Sequence, residues 1–274
     1  MPEPYLCYRT RAPIHVDGAL DKPAWRAVPR SARFVDMVDG SPGLFDTRIA
    51  ATWDDDNLYV GFWIEEPFLA AAKTARDSLV FLENDVELFI DGGDCYYELE
   101  INAAGTIYEV LFVWQDAFGP GTRFEGSELD VLKRGAQTFA GDYDRSGESF
   151  WQGSHPRGPR WAFRDWDLAG LRTAVSLQGT LNDDSDVDAG WQVELALPWS
   201  GFDWLANGRP VPPRDGDTWR MFFGRFEKLV LGGVEVQPHP AWVLIPHGVY
   251  DTHQPERWTE VRFSSQLAPA TEPA

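Results

Sequence analysis

Hydrophobic and polar residues alternate over much of the chain with the period of two that is typical of β-strands. Thr47–Trp53 and Asn57–Glu65 are rich in β-branched and aromatic residues, and the intervening Asp55-Asp56 has the composition of a hairpin turn. Three further segments with strand character follow at short intervals, separated by glycine-containing turns: Asn84–Asp91, Tyr96–Ala103 and Ile107–Trp114. This part of the chain predicts a meander of short antiparallel strands.

The second half of the chain continues the pattern. Arg172–Leu181 and Gly190–Leu197 form a hairpin-like pair, and Trp219–Glu227 and Trp258–Phe263 complete a set of about ten strand candidates. Many short strands with frequent turns are typical of a sandwich of two antiparallel sheets. The predicted fold class is therefore all-β, an antiparallel β-sandwich.

Two segments predict helical turns, and one fits no strand pattern. Pro67–Asp77 contains an alanine-rich run, and Pro198–Leu205 begins with a proline, which is common at the first helical position. Residues 115–170 are rich in Gly, Pro, Arg and aromatics and predict a long irregular insertion, packed rather than disordered. We expect one domain over 1–265, in which the insertion covers one sandwich face or builds part of a site, and a flexible tail over 266–274.

The chain is strongly acidic, because 43 Asp and Glu residues outweigh 24 Lys and Arg residues and give a net charge of −19. Nucleic acids and anionic membranes attract basic surfaces, so this charge argues against both as partners. The N-terminus has no signal-peptide features, which predicts a cytoplasmic protein, with a secreted and processed protein as the alternative. Cys7 and Cys95 are expected to be two thiols, and a disulfide is the alternative.

The sequence contains no motif that identifies an enzyme. It lacks a Gly-x-Ser-x-Gly nucleophile motif and a phosphate-binding glycine loop, and its five histidines lack the spacing of a transition-metal site. Glu98 and Glu100 alternate with Leu99 and Ile101 and therefore share one face of a strand. A solvated strand face explains this pair more simply than a catalytic dyad.

One segment has the pattern of a calcium loop. Asp184, Asp186 and Asp188 alternate as ligands do at the start of an EF-hand, but Ala189 and Leu195 stand where that loop needs Gly and a bidentate Glu. The segment is therefore not an EF-hand. A looser loop, in which the three aspartates bind a structural calcium ion, and a plain polar hairpin turn are both open.

Aromatic residues are abundant, with 13 Trp, 17 Phe and 8 Tyr. Most belong in a core, but flat rings also pack on the apolar faces of sugars, while charged side chains bind the hydroxyls. Aromatic and charged residues occur close together in the sequence at Phe81 and Glu87 and again at Arg225 and Phe226. This combination favours a carbohydrate ligand.

Six motifs, in the same order, resemble those of the family 9 carbohydrate-binding modules. The resemblance extends from Ile14 to about Phe263 and implies a sandwich like that of this family and of the DOMON domains. The pattern Val-Asp-Gly-x-Leu-Asp-x-x-Ala-Trp opens the series, followed by Trp-Asp-x-x-x-Leu-Tyr-Val and an acidic strand. Ile14–Val16, where the opening motif begins, predicts a short strand before a tight Asp-Gly turn. In this chain the six motifs are Val16–Trp25, Trp53–Val60, Asn84–Asp91, Gly190–Trp199, Trp219–Arg225 and His253–Arg257.

The resemblance also implies a ligand site. In characterised modules of the family, two tryptophans sandwich a terminal sugar, Glu and Arg bind its hydroxyls, and calcium is often structural. One platform falls on Phe81 here, the sugar-binding acid on Glu87, the arginine on Arg225 and the second platform on Trp242. A further family arginine falls on Glu98, which leaves a site remodelled for another sugar and a lost site as alternatives.

The predicted function is therefore lectin-like, non-catalytic binding of a mono- or oligosaccharide through aromatic stacking and Glu and Arg hydrogen bonds. The alternative is an enzyme of the glycoside hydrolase type, which requires two carboxylates about 5 to 10 Å apart in a pocket walled by the insertion. A haem-binding relative of the sandwich would need Met or His axial ligands and is disfavoured, because the chain has only three methionines.

Overall fold

The computed structural model describes residues 3–139 and 155–269, and its fold is built almost wholly of β-strands. All strands that the alternation predicted between Thr47 and Phe263 are present, with ends that differ by a few residues. In chain order the strands are β1 Tyr5–Arg9, β2 Val35–Asp36, β3 Thr47–Trp53, β4 Asn57–Ile64, β5 Asp85–Asp91, β6 Cys95–Asn102, β7 Ile107–Trp114, β8 Gln137–Phe139, β9 Arg160–Phe163, β10 Arg172–Gln178, β11 Gly190–Pro198, β12 Thr218–Phe226, β13 Val230–Leu231, β14 Val234–Glu235, β15 Ala241–Val243 and β16 Thr259–Leu267.

Helices are few and short in the part of the chain that the structure describes. The two α-helices are α1 Pro23–Arg26 and α2 Asp203–Ala206, and single 3-10 turns are Val80–Leu82, Gln115–Ala117, Trp199–Gly201 and Pro255–Arg257. The helical turn predicted at Pro198–Leu205 is confirmed. The helix predicted at Pro67–Asp77 is wrong, because side chains from neighbouring loops bind its backbone: Leu69 N–H donates to Asp188 and Ala71 N–H donates to Asn182.

The strands form two layers around one core. β10, β11, β4, β3 and β1 lie side by side in that order, and β16, β12, β5, β6, β7, β9 and β8 continue the ladder. The two halves join where β1 pairs with β16 in parallel. Apolar side chains from the two halves form one interior cluster, to which Phe62 and Val193 contribute from the first half and Leu88, Leu99 and Phe223 from the second. This arrangement confirms the β-sandwich.

The insertion and the C-terminal segment contribute strands that the sequence did not predict. β9 pairs with β7 and β8 pairs with β9, so the insertion extends the second layer at its edge. These strands have three and four residues, too few for an alternation to be recognised. Residues 140–154, including Trp151, lie outside the described part. β16 continues to Leu267, past the start of the expected tail, of which 270–274 also lie outside it.

The opening motif serves the scaffold. Ile14–Val16 is not the strand that the sequence predicted, because this segment docks on β11 through a side chain instead of a ladder. The backbone N–H groups of Asp17 and Gly18 donate to Glu194 Oε2 at 2.8 and 2.9 Å, and the Trp25 indole N–H donates to Glu194 Oε1 at 2.8 Å. Gly18 is required here, since its φ is +85° and a Cβ would lie 2.9 Å from the Val175 backbone.

Cys7 and Cys95 are both buried and both free thiols. The expected pair of thiols is therefore confirmed. No helix within residues 3–139 and 155–269 has the length and apolar character needed to cross a membrane.

Candidate ligand-binding site

The alternation of β5 and β6 places carboxylates on the outer face of the second layer. On β5, Val86 and Leu88 belong to the interior cluster, whereas Phe89 belongs to a second apolar cluster on the other side of the sheet. Because neighbouring strand residues point to opposite faces, Asp85 and Glu87 share the outer face with Phe89. The outer face of the layer therefore carries acids among aromatic rings.

The strand register brings these acids together. Glu87 on β5 lies directly opposite Glu100 on β6, and Phe89 lies opposite Glu98. Like charges on directly opposite residues of two strands destabilise a sheet. Four of the five acids on the two strands are nevertheless buried: Asp85, Glu87, Glu98 and Glu100 are 1%, 3%, 4% and 2% exposed. We call them the four acids.

A cavity of about 200 Å³ lies over Glu87, Glu98 and Glu100, and we call it the acid cavity. This volume is below the range of roughly 300–1,000 Å³ that is usual for drug-sized ligands, so it suits one small ligand or one end of a longer one. Its lining consists of Leu79, Phe81, Glu87, Phe89, Glu98, Glu100, Tyr108, Phe112, Gln137, Thr138, Phe139, Ala162, Arg164, Phe226, Thr252 and His253.

The acid cavity has a buried floor and a partly exposed rim. Glu87, Glu98 and Glu100 are buried floor residues, whereas Gln137, Thr138 and Arg164 at the rim are exposed and Phe81 and Phe139 are half-buried. The rim residues Gln137 to Arg164 all come from the insertion. The insertion therefore builds one wall of the cavity, while β5 and β6 supply its acids.

Several oxygens of the four acids have no hydrogen-bond partner. Both Asp85 carboxylate oxygens, Glu87 Oε2 and Glu98 Oε2 are buried and unpaired. Glu100 is better supported, since its Oε2 accepts a hydrogen bond of 3.0 Å from the Phe81 backbone N–H. Buried polar atoms without partners are rare in folded proteins and mark places where a ligand, ion or water completes the structure.

Burial and mutual repulsion hold protons on the acids. Loss of solvation raises the pKa of Glu98 to about 8, and loss of solvation followed by repulsion from Asp85 and Glu98 raises the pKa of Glu87 well above its usual range. For Glu100, loss of solvation and then repulsion from Glu98, Glu87 and Asp85 have the same effect on the pKa. Burial also raises the pKa of Asp85 well above its usual range, although the nearby Phe226 backbone N–H, which does not meet the geometry of a hydrogen bond to Asp85, opposes the rise.

His253 closes the other side of the cavity. Burial and then the charge of Arg160 lower its pKa well below the usual range, so the imidazole is neutral at pH 7. Its Nδ1 lies 3.1 Å from the Tyr96 hydroxyl and 3.7 Å from Glu98 Oε2, and its ring packs on Phe139 with centroids 4.6 Å apart. His253 therefore presents an uncharged polar edge to Glu98.

The structure brings together three of the five predicted site residues. Phe81, Glu87 and Glu98 line the acid cavity, whereas Arg225 and Trp242 do not. On β12 the side chains of Phe223 and Arg225 point into the sandwich, and on β15 Trp242 joins the interior cluster. Trp242 is 4% exposed, so its ring is packed away from any surface on which a sugar could stack.

Arg225 is fully engaged by the protein. Its guanidinium forms ion pairs with Glu227 at 2.6 Å and Glu66 at 3.5 Å, donates to Thr47 Oγ1 at 3.0 Å, and lies 5.1 Å from the Trp242 ring centroid. We call this set the Arg225 network. Burial, and then repulsion from Glu227, raise the pKa of Glu66 to about 7. These contacts indicate that Arg225 stabilises the fold, and its side chain does not line the cavity.

The candidate calcium loop is a polar connection between β10 and β11. Asp184 and Asp186 are exposed, and Asp188 is buried. Both Asp188 oxygens accept backbone hydrogen bonds, Oδ2 from Leu69 N–H at 2.8 Å and Oδ1 from Thr180 N–H at 2.7 Å. In this geometry Asp188 braces the loop. Within the described ranges, the set of three acids whose ligand atoms all lie within 4.8 Å of one another is Asp85, Glu87 and Glu100.

Sequence reasoning missed several residues of the cavity. Glu100 was identified beside Glu98, but the solvated strand face predicted for the pair is wrong, because both are buried. Asp85, next to the cavity, carried a usable signal, because acids at alternate positions of one strand share a face. Phe139, Arg164 and His253 carried none, since they come from the insertion and from the loop before β16. Their position depends on tertiary packing that no local pattern predicts.

Comparisons with known proteins agree with this fold. No protein-family model and no curated protein sequence matches the chain. Solved structures do match. A family 9 carbohydrate-binding module from Caldicellulosiruptor kristjanssonii in complex with cellotriose has a TM-score of 0.50 at 13% identity, over 98% of each chain.

Two further structures are similar over nearly the whole chain. The Caldicellulosiruptor kristjanssonii family 9 module in complex with glucose has a TM-score of 0.50 at 13% identity and covers 97% of this chain and all of its own. A protein from Bacteroides uniformis, whose suggested function is carbohydrate binding, has a TM-score of 0.55 at 15% identity and covers 96% of this chain and 100% of its own. The chain therefore has the fold of the family 9 carbohydrate-binding modules.

Proposed function

We propose that the protein binds carbohydrate without acting on it chemically, and that one sugar residue occupies the acid cavity. The observation that carries this proposal is the cavity itself, where aromatic rings at the rim surround buried carboxylates with unpaired oxygens. Two of the structurally similar proteins bind cellotriose and glucose, which supports a saccharide as the ligand class.

The floor of the cavity suits the hydroxyl groups of a sugar. Each hydroxyl donates one hydrogen bond, and Glu87 Oε2 and Glu98 Oε2 each have an unused acceptor position. Burial strengthens these hydrogen bonds, because the local dielectric constant is lower than that of water. A sugar that donates to both residues would therefore compensate for the cost of burying them.

The rim suits the apolar faces of a sugar. Phe81 and Phe139 are half-buried and line the opening, and each is held by another ring: Phe81 lies edge-on to Tyr108 and Phe139 edge-on to Phe112. A ring fixed in this way can pack on the C–H face of a sugar with little loss of side-chain entropy. Arg164 at the same rim adds hydrogen-bond donors for hydroxyls.

Arg225 and Trp242 have a supporting role in this proposal. They hold the inner side of β12, whose outer side contributes Phe226 to the cavity. The proposed contact residues are therefore Phe81, Glu87 and Glu98 among those predicted from the sequence, together with Phe139 and Arg164.

Calorimetric titration with glucose and short β-glucans tests the proposal. We expect saturable binding, weakened roughly three- to tenfold by Phe139→Ala, because a stacking contact is worth about 0.5–1.5 kcal/mol. Phe68→Ala is the matched control, since Phe68 is 55% exposed and lies outside the cavity lining. Absence of binding to every saccharide on a broad glycan array, by a folded protein in buffer with calcium, would contradict the proposal.

A glycoside hydrolase is the second candidate, and the spacing of the acids favours it. Retaining enzymes use two carboxyl groups about 5–5.5 Å apart, and ligand atoms of Glu87 and Glu100 lie within 4.8 Å of each other. Release of nitrophenol from aryl glycosides measures this activity. We expect no release above the rate in buffer alone. Turnover that Glu98→Gln or Glu100→Gln abolishes would show that the protein is a glycoside hydrolase and would contradict the binding proposal.

A further inference from the structure

We propose that Asp85, Glu87 and Glu100 bind one Ca²⁺ ion at the floor of the acid cavity, and that free coordination positions of the ion bind sugar hydroxyls. Contact with the sugar rests on the proposed function, whereas binding of the ion does not. The loop of Asp184, Asp186 and Asp188 has no part in this site.

The three acids have the spacing of ligands to one ion. Their ligand atoms all lie within 4.8 Å of one another. Two oxygens bound to one ion cannot be farther apart than twice the metal–oxygen distance, which is about 4.6–5.2 Å for Ca²⁺. The spacing of the three side chains therefore satisfies the pairwise distance condition for ligands of one Ca²⁺ ion.

Unpaired buried oxygens on two of the three acids are independent evidence for a ligand. Asp85 is 1% exposed and neither of its oxygens has a hydrogen-bond partner, and Glu87 is 3% exposed with Oε2 unpaired. A folded chain rarely leaves such acceptors unpaired, because each costs the full loss of its solvation. A cation supplies the missing partner for both residues at once.

The chemistry of the ligands selects the class of metal. Three carboxylates and no thiolate or imidazole in the set favour hard cations such as Ca²⁺ over Zn²⁺ and Cu²⁺. Ca²⁺ takes six to eight oxygen ligands, and three carboxylates provide at most six. Glu100 already uses one oxygen to accept the Phe81 N–H, so the protein leaves coordination positions open.

The open positions face the cavity. Glu87 and Glu100 belong to its lining, whereas Asp85 does not and precedes Glu87 by two residues on the same face of β5. An ion bound by the three residues is thus accessible from the cavity on the side of Glu87 and Glu100. Glu98, with Oε2 unpaired on the same floor, is placed to accept a hydrogen bond from a hydroxyl that the ion orients.

Calcium titration of the full chain, stripped with EDTA and dialysed, tests the ion site without sugar. We expect saturable binding of one Ca²⁺ and a rise in Tm of several degrees. Asp85→Asn and Glu87→Gln each keep the shape of the side chain and should weaken binding about tenfold or more. Glu100→Gln is a third variant if either of these fails to give a folded protein by circular dichroism.

The double variant Asp184→Asn/Asp186→Asn is the matched control, because it removes two acids from the exposed loop and none from the cavity. We expect it to bind Ca²⁺ as the wild type does. A wild-type protein that binds no Ca²⁺ would overturn the proposal, and so would a response that the control loses and the cavity variants retain.

Sugar titrations with and without EDTA separate the two proposals. Affinity that falls about tenfold or more in EDTA and returns with Ca²⁺ supports an ion that contacts the sugar. Equal affinity in both buffers leaves carbohydrate binding intact and overturns the ion–sugar contact. Calcium binding with no response to any saccharide keeps the ion site and contradicts the proposed function alone.

Discussion

Two buried acidic regions of this sandwich differ in one respect, the number of partners that their carboxylates have. Glu194 on β11 is completely enclosed, and both its oxygens accept hydrogen bonds. Its partners are the backbone of the Asp17-Gly18 turn, the Trp25 indole and the Lys22 ammonium group, 2.7 Å away. We call this set the Glu194 brace. The four acids of the cavity are buried as deeply, yet several of their oxygens have no partner.

The number of partners distinguishes a carboxylate that stabilises the fold from carboxylates that form a candidate ligand site. The buried charge of Glu194 is compensated within the fold by an ion pair and several hydrogen bonds. These contacts hold the opening segment on β11. Buried acids without partners destabilise the free protein, and such groups occur at functional sites, where a bound ligand compensates for the destabilisation. Burial alone therefore does not identify a functional carboxylate, whereas burial without a partner does.

Replacement of Arg225 should have the largest effect on stability. Arg225→Met removes the cation of the Arg225 network and leaves Glu66 and Glu227 buried without it, so we expect a loss of about 3–5 kcal/mol in the free energy of unfolding. Urea denaturation followed by tryptophan fluorescence measures this loss. The sugar affinity of the folded fraction should change less than twofold. A large drop in affinity at unchanged stability would show that Arg225 contributes to the ligand site.

Loss of the Glu194 brace should have the next largest effect. Glu194→Ala leaves the Trp25 indole N–H and two backbone N–H groups without an acceptor and frees the Lys22 ammonium group, so we expect a loss of roughly 3 kcal/mol. The same urea experiment applies, with Glu260→Ala on an exposed strand position as control. A change below that of the control would mean that the brace contributes nothing to the sandwich.

The fold was predictable from the sequence because its strands are long enough to show their period. β3, β4, β5 and β7 are seven or eight residues long, and the alternation located each of them. β2, β8 and β15 have two or three residues and were missed. The strand predicted at Ile14–Val16 is absent for another reason, since the adjoining Asp17 and Gly18 backbone N–H groups bind the Glu194 side chain instead of a neighbouring strand.

The candidate site was predictable only where it lies on those strands. Glu87 and Glu98 were identified from the family resemblance, and they do share the cavity because β5 and β6 are neighbouring paired strands. Arg225 was predicted beside them from the order of motifs, but motif order does not indicate which sheet face a side chain occupies. Phe139 and His253 reach the cavity through the insertion and a loop, where position depends on packing across the whole domain.

Raising the pH should destabilise the metal-free protein through the cavity. The folded pKa of Glu98 is about 8 against an ordinary value of 4.5, so its neutral form contributes stability that is fully present below 4.5 and lost as the pH rises through 8. Between pH 6 and pH 9 in EDTA we expect a loss on the order of 2 kcal/mol in the free energy of unfolding. Saturating Ca²⁺ at pH 9 should restore much of it.

Other titratable groups also affect the pH dependence of stability, so the assignment to Glu98 needs a control variant. Glu98→Gln should flatten the pH dependence, and a profile that the variant leaves unchanged would locate the titration elsewhere, with Glu66 and its pKa of about 7 as the first alternative. The charged or titratable groups that act on the four acids from the surrounding elements are Glu83, Tyr96, Tyr108, Arg160, Arg164, Arg225, Tyr250 and His253.

Glu87→Gln should have the smallest effect, and its sign is opposite to that of the scaffold variants. Glu87 lies directly opposite Glu100, and its Oε2 has no partner. The amide cannot ionise, so it removes the repulsion that grows as these acids lose their protons and breaks no hydrogen bond at that atom. We expect a gain of about 0.5–1 kcal/mol in EDTA at pH 8, measured by urea denaturation. In Ca²⁺ the wild type should become the more stable of the two. If Glu87→Gln instead lost stability in EDTA, as Glu194→Ala is expected to, Glu87 would belong with the compensated scaffold acids, and the distinction drawn from unpaired oxygens would fail at its central residue.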